Sequence, residues 1–302
     1  MQTECVIDNQ TPSTNLCLRE IAMLMSTQAN RYAHQLLDAR ERSVQIPPLS
    51  ASGKLSVADG YDIARSLLDI RIANGETPVG RKLGFTNRKV AARYGTKAPI
   101  DASIWATMFD STVRYTEDNH GIESLKGAIQ PRIEPEIVFM LGRAPAPDAT
   151  IEELADCIEW MAHGYEIDVC PFPGWKFELV DAIAAFGMHG ALILGEPRVL
   201  SAATRRNLGN TLANASVSLS CSAQPSFTLM AAGFGSDVMG NPVNALWQLH
   251  CQLQSQPQFS PLAAGEIITT GSWTDGYPVV RGQTWTTAFS GLSLAGLTVS
   301  FV

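Results

Sequence analysis

The sequence predicts an α+β protein with a mixed or antiparallel β core and few helices. Three observations carry this. Apolar residues recur at helical spacing up to about residue 75. Beyond it, short β-branched and aromatic runs alternate with turn residues and read as strands. Two capped amphipathic stretches interrupt those strands, one over 150–163 and one from residue 242.

The elements follow in order. The first 20 or so residues read as a loose arm. Ala29, Ala33, Leu36 and Leu37, with Tyr32 beside them, predict a helix from Ser26 to about Ser43. Pro47 and Pro48 forbid its continuation. A second helix starts after Ser56, an N-cap residue, and runs through Tyr61, Ala64, Leu67 and Leu68 to the stop at Asn74-Gly75. Residues 1–75 are thus an N-terminal arm and helical subdomain, and 76–302 a catalytic-sized domain. Within the latter, strands are expected at 132–141, 191–195, 215–220, 266–271 and 297–302. The T-x-x-E spacing of Thr150 and Glu153 is a capping box for a helix carrying Ile151, Leu154, Ala155, Ile158 and Met161. Asn241-Pro242 opens the other, with Leu246 and Leu249 on its face.

Composition excludes several function classes. A formal net charge of -7 argues against nucleic acid, which needs a basic face. Six scattered cysteines with no C-x-x-C pair argue against a zinc site or a disulfide framework and favour a reducing compartment. The polar, acidic N-terminus is unlike a signal peptide. No apolar run approaches the roughly 20 residues that cross a bilayer. The expectation is a cytoplasmic enzyme that binds neither nucleic acid nor membrane.

The stretch RIEPEIVFM, residues 132–140, raises a specific problem. In a strand, residues i and i+2 share a face, so Glu134 and Glu136 point the same way. Two neighbouring like charges cost free energy unless a cation lies between them or one carries a proton. Glu166, placed just past the 150–163 helix, is a third acid suited to face a cavity. Three converging carboxylates favour a hard divalent cation; Mg2+ held by three of them keeps open positions for a chelating substrate. Lys82 lies in GRKLG, where Gly80 and Gly84 let backbone approach a ligand. Taken singly, a solvated strand end, a surface acid and a snorkelling lysine are the commoner settings, and spacing does not decide the matter.

The ordered set of strings VGRKLGFTNRKVAARYG, QPRIEPEIVFMLGR, CIEWMAHGYEID, GWKF, GNPVNALWQL and EIITTGSW does more. Over roughly residues 30–302 it resembles the 2-keto-4-pentenoate hydratase and 4-oxalocrotonate decarboxylase family of the fumarylacetoacetate hydrolase superfamily. The resemblance implies a mixed β-roll-like core with a smaller N-terminal part, and activity on 2-oxo or 2-hydroxydienoic acids from aromatic catabolism. It implies Mg2+ ligands at Glu134, Glu136 and Glu166, with Mn2+ or Ca2+ as substitutes, and an active-site Lys82. It also implies a homo-oligomer and a complex with a homologous pathway enzyme. The chemistry expected is chelation of a 2-oxo acid, a metal-stabilised enolate, and Lys82 as an oxyanion donor rather than a Schiff-base nucleophile.

The chain departs from the family where polar groups border the substrate. Ala185, Phe186 and Met188 stand there instead, and Thr107 replaces an acid, so a more apolar cavity is expected. His189 and His163 are candidates for the missing acid or base, each against a structural role. His34 and His120 read as exposed and His250 as packing. Lys176 of GWKF, Thr270 and Gly271 are candidate substrate contacts. GFGSDVMG, at 233–240, lacks dinucleotide spacing and reads as turns near the site. Three functions remain on this reading: a Mg2+-dependent hydratase or decarboxylase first, then a C–C bond hydrolase of an acylpyruvate, then a non-catalytic partner subunit.

Overall fold

The computed structural model describes residues 13–87, 89, 103–222 and 226–302, with side chains from residue 27 onward. The expected arm over residues 1–12, Cys5 and the VAARYG end of the lysine motif lie outside them.

Two helices lead: α1 (Ser13–Glu41) and α2 (Val57–Ala73). In α2 the Ser56 hydroxyl accepts from the Asp59 N–H while Asp59 reaches back to the Ser56 N–H, a reciprocal cap. The middle of the chain holds β1 (Pro78–Gly84), β2 (Ile104–Phe109), β3 (Val113–Tyr115), β4 (His120–Glu123) and β5 (Arg132–Leu141). It continues through α3 (Ile151–Ala155), β6 (Ile158–Asp168), α4 (Leu179–Ala184), β7 (His189–Leu194) and β8 (Arg198–Val199). The last third comprises α5 (Ala202–Arg206), α6 (Leu208–Ala213), β9 (Ser216–Ser222), β10 (Phe227–Phe234) and α7 (Pro242–Gln254). β11 (Ile267–Thr269), β12 (Tyr277–Pro278), β13 (Thr284–Ser290) and β14 (Thr298–Phe301) complete it. The Asn241 side chain caps α7 by accepting from the Val243 and Asn244 N–H groups.

Two sheets form the core. The larger runs β2-β1-β11-β5-β6-β7-β3, with β12 on β5 and β8 on β6; the smaller runs β10-β9-β13-β14-β4. The larger is mixed, since β1 pairs with β11 and β3 with β7 in parallel while its other pairs are antiparallel. Ile133, Tyr165, Ile167 and Ile193 of the larger sheet pack against Leu219, Trp285, Val299 and Phe301 of the smaller. By period-2 alternation, Glu134, Glu136, Glu166 and Asp168 take the opposite face. A second cluster joins Leu36 of α1 and Leu67 of α2 to Ile183 of α4 and Leu249 of α7. By the same alternation its members from the larger sheet, Ile137, Phe139, Met161 and Ile268, lie on the side of Ile133 and Tyr165. Among the described residues no helix is long and apolar enough to cross a membrane.

The α+β class with a mixed, curled core is what the sequence predicts, and strands occupy all five expected places. Two expectations fail. Helix α1 begins at Ser13, not near Ser26, so part of the supposed arm is helical. The predicted helix over 150–163 is only the single turn α3, and Ile158–Asp168 is a strand. The Thr150–Glu153 capping box is present and nucleates that turn. Pairing with β5 on one side and β7 on the other then outweighs helical spacing.

Candidate active site

The site is built on the centre of the larger sheet. Register places Glu134 of β5 directly opposite Glu166 of β6, Arg132 opposite Asp168, and Glu136 opposite Gly164. Carboxylate oxygens of Glu134, Glu136 and Glu166 lie within 4.8 Å of one another. Glu136 and Glu166 are buried, while Glu134 lines a small cavity. Lys82 comes from β1, three strands from β6 in sheet order. Strands lie roughly 4.8 Å apart, so a flat sheet would put Lys82 about 14 Å from β6. Yet Lys82 Nζ is 2.9 Å from Asp168 Oδ1 and 3.0 Å from Glu166 Oε2. The sheet therefore curls, and its concave face gathers these groups.

Two of the three carboxylates have a holder. The Gly271 N–H donates to Glu136 Oε2 at 2.7 Å. Gly271 has φ +101°, and a Cβ there would meet Thr86 Oγ1 at 1.7 Å, so both conformation and space require glycine. His189 Nδ1 donates to Glu166 Oε1 at 2.7 Å, because a carboxylate only accepts. His189 Nε2 meets Thr112 Oγ1 at 3.0 Å, and burial pushes the ring pKa down despite Glu166. His163 bridges the Glu136 carbonyl (3.0 Å) and Thr287 Oγ1 (2.9 Å), with burial lowering its pKa to about 4. It is a neutral strut between the two sheets.

Electrostatics ask for a cation. Burial raises the pKa of Glu136 well above the carboxylate range, and Glu166 and Glu134 beside it raise it further. Burial, with Glu166 nearby, holds Glu134 up to about 7 even though Lys82 opposes the shift. Burial alone would lower Lys82, but Asp168, Glu166, Glu134 and Glu136 outweigh it and keep the side chain an ammonium. Glu136 Oε1 is buried with no hydrogen-bond donor. Glu166 Oε2 has none either: Lys82 is close enough to pair with it but off the hydrogen-bonding direction. Orphaned hard oxygens at this spacing fit a divalent ion.

Of the residues expected from sequence, Lys82, Glu134, Glu136, Glu166, His189 and Gly271 come together. Thr270 is buried next to them, but its hydroxyl donates to the Ile137 carbonyl at 2.8 Å and is spent on the fold. Lys176 does not join: it is exposed, while its neighbours Trp175 and Phe177 line the cavity. The turn at Gly174 and Trp175, both at positive φ, alternates the side chains so that the aromatics turn inward. Asp168 was missed. Its signal was the E-x-D spacing with Glu166, which repeats the E-x-E of β5 once 158–168 is read as a strand. Phe85, Trp175, Phe177 and Met188 add apolar lining to this cavity of about 50 Å³, and Thr86, Asn87 and Ser272 polar lining. Phe186, Gly187 and Met188 form a left-handed turn, φ 58°, 60° and 66°, which sets Gly187 against the Lys82 stem and turns His189 inward. His34 and His120 are exposed and His250 is buried on α7. The 233–240 segment joins the rim, where Val238 bridges to Asn87 and the Met239 N–H donates to the Thr86 carbonyl.

No family model matches the chain. It is 30% identical over 278 residues to a 2-hydroxyhexa-2,4-dienoate hydratase of Comamonas testosteroni, covering 90% of this chain and 96% of that protein. It is 28% identical over 250 residues to a 4-oxalocrotonate decarboxylase of a Pseudomonas species, covering 81% and 88%. In three dimensions it is similar to the 4-oxalocrotonate decarboxylase from Pseudomonas putida G7 solved with magnesium and adipate. That likeness has a TM-score of 0.78 at 22% identity and covers 91% of this chain and 98% of that one, a likeness of fold.

Proposed function

The chain belongs to the family of 2-keto-4-pentenoate hydratases and 4-oxalocrotonate decarboxylases within the fumarylacetoacetate hydrolase superfamily, and on that premise we propose a Mg2+-dependent lyase acting on a 2-oxo acid or its 2-hydroxydienoate form. The observation that carries this is the convergence of Glu134, Glu136 and Glu166 within 4.8 Å beside a buried lysine. When bound there, a divalent cation supplies Lewis-acid polarisation of a chelated 2-oxo acid and leaves coordination positions for it. Magnesium is the ion favoured by an all-carboxylate set, with Mn2+ or Ca2+ as substitutes.

The chain's own residues then do the following. Gly271 and His189 fix the oxygens of Glu136 and Glu166, so two ligands are oriented before substrate arrives. Lys82, gripped by Asp168, donates a hydrogen bond where negative charge develops on the substrate oxygen. His189 has both ring nitrogens engaged, which makes it a positioning residue rather than a water-activating base. That geometry favours the lyase reading over C–C hydrolysis, which would need a histidine free to activate water. Phe85, Trp175, Phe177 and Met188 shield the substrate's distal carbons from water.

The test is a panel of 2-hydroxydienoates, 2-oxo acids and acylpyruvates, assayed with Mg2+ and with chelator. Metal-dependent hydration or decarboxylation of a dienoate is expected. Turnover of acylpyruvates alone would make the protein a C–C hydrolase, and no metal-dependent turnover of any of them would make it a partner subunit. The assembly proposed is a homo-oligomer: Phe227, Leu229 and Phe234 of edge strand β10 are exposed apolar surface. A monomer by light scattering at micromolar concentration would count against it.

A further inference from the structure

A second and larger cavity, of about 560 Å³, is lined by Gly190 and Ala191 and by neither Asp168 nor any of the three glutamates of the metal site. Its size is that of a small-molecule pocket. Leu36, Leu125, Ile129, Ile167 and Val169 line it with apolar side chains, and among its charged ones Arg40, Arg71, Arg114 and Lys126 outnumber Glu41 and Glu123. Two of these arginines are committed to acids. Arg71 pairs with Glu76 and also reaches Ser111, and Arg114 lies 3.9 Å from Glu123.

Arg40 differs. Its Nη1 donates to the His189 carbonyl at 2.8 Å and its Nη2 to the Gly190 carbonyl at 3.1 Å. A guanidinium has five N–H donors, and among the described residues these two carbonyls are the hydrogen-bond acceptors its side chain meets, with the Phe186 ring 5.2 Å from its Cζ. Among the described residues no carboxylate lies within ion-pair distance of it; Glu76 acts on it only from a distance and already carries Arg71. Burial lowers its pKa to about 10, and neighbouring Arg71 adds to the shift. A guanidinium set into a cavity wall beside a second cation, with donors to spare, suits an oxyanion.

We propose that this cavity is a binding site for a small organic acid, whose carboxylate pairs with Arg40 and whose apolar body lies on Leu36, Leu125 and Ile129. The apolar wall is what favours an organic acid over inorganic phosphate. The ligand would sit directly behind the backbone of His189, the residue that holds Glu166, so its contacts with Arg40 and the metal site share one peptide segment.

The experiment is calorimetric titration of the Mg2+-loaded protein with benzoate and, separately, with inorganic phosphate. Benzoate should bind, and more tightly than phosphate. Arg40→Met should weaken benzoate at least tenfold, while Glu134→Gln, which acts only at the metal site, should leave it unchanged. Ala128→Phe, which fills the cavity from its rim without removing a charge, should weaken it as well and carries the test if Arg40→Met does not fold. Benzoate affinity unchanged in Ala128→Phe, or lost in Glu134→Gln and kept in Arg40→Met, overturns the proposal. So does phosphate binding at least as tightly as benzoate, or no benzoate binding at millimolar concentration. The readout is binding rather than turnover, so none of these outcomes bears on the metal-dependent lyase activity.

Discussion

Lys82 Nζ donates to Asp168 Oδ1 and is ion-paired with Glu166 Oε2, so the ammonium is in place before any substrate arrives. Surrounded by four acids it stays charged, which disfavours attack on a carbonyl carbon and favours hydrogen bonding to a developing oxyanion. Lys82→Ala should therefore lower kcat by on the order of 10²–10³, the usual loss for one oxyanion donor, with KM changed less. Borohydride added with substrate should leave no adduct; a covalent adduct at Lys82 would refute the electrostatic role. A second residue-scale prediction concerns Gly271. Alanine there must collide with Thr86 or give up φ +101°, and either shift moves the N–H that holds Glu136. Gly271→Ala should weaken Mg2+ at least tenfold in a metal titration, the lower end of the usual loss for a ligand's supporting contact; unchanged affinity would show that this N–H does not position Glu136. At this scale the sequence showed Lys82 and the three glutamates through motif and period. Asp168 stays hidden because helical spacing over 150–163 masks the strand that presents it, and Lys176 enters through the GWKF motif, which does not say which way a tight turn points a side chain.

Element β6 shows why that error arises. Ile151, Leu154, Ala155 and Ile158 have helical spacing behind a genuine capping box, and locally nothing contradicts a helix. What decides is non-local. A strand there gains ladders with both β5 and β7, buries Tyr165 and Ile167 against the second sheet, and puts Glu166 and Asp168 on the concave face. The alternation of Tyr165 and Ile167 with Glu166 and Asp168 was legible; the partners that reward it were not. Gly164 makes the element testable. It faces Glu136 across the β5–β6 ladder, and a Cβ there would come within 2.8 Å of Val138 and 2.9 Å of Leu192. Gly164→Val should overpack that seam at a cost of about 1–3 kcal/mol. In a thermal melt this is a fall of a few degrees, roughly 2 °C per kcal/mol for a chain of this size. An unchanged melting temperature would mean that the seam has slack and that the glycine is not a packing requirement.

At the scale of the whole molecule, the curl of the larger sheet is the feature that no local pattern announces. It brings β1 across to β6 and closes four acids and one ammonium into a space that burial makes expensive for charge. Were all four carboxylates ionised against one lysine, the concave face would carry an excess of three negative charges. Burial and mutual repulsion therefore push Glu134, Glu136 and Asp168 toward holding protons. A divalent cation would offset two of those charges. Binding that cation must therefore stabilise the folded chain. At a hundred times its dissociation constant a ligand adds about 2.7 kcal/mol, which corresponds to roughly 5 °C in a protein of this length. Thermal scans with Mg2+ and with chelator should differ by about that amount. Glu134→Gln and Glu136→Gln should each abolish most of the difference by removing a ligand. Asp168→Asn should keep it, because Asp168 grips Lys82 and lies outside the group of three oxygens that converge. If Asp168→Asn lost the shift while Glu134→Gln retained it, the ion would sit against β6 and Lys82 rather than between the paired strands, and the assignment of the three glutamates would be wrong.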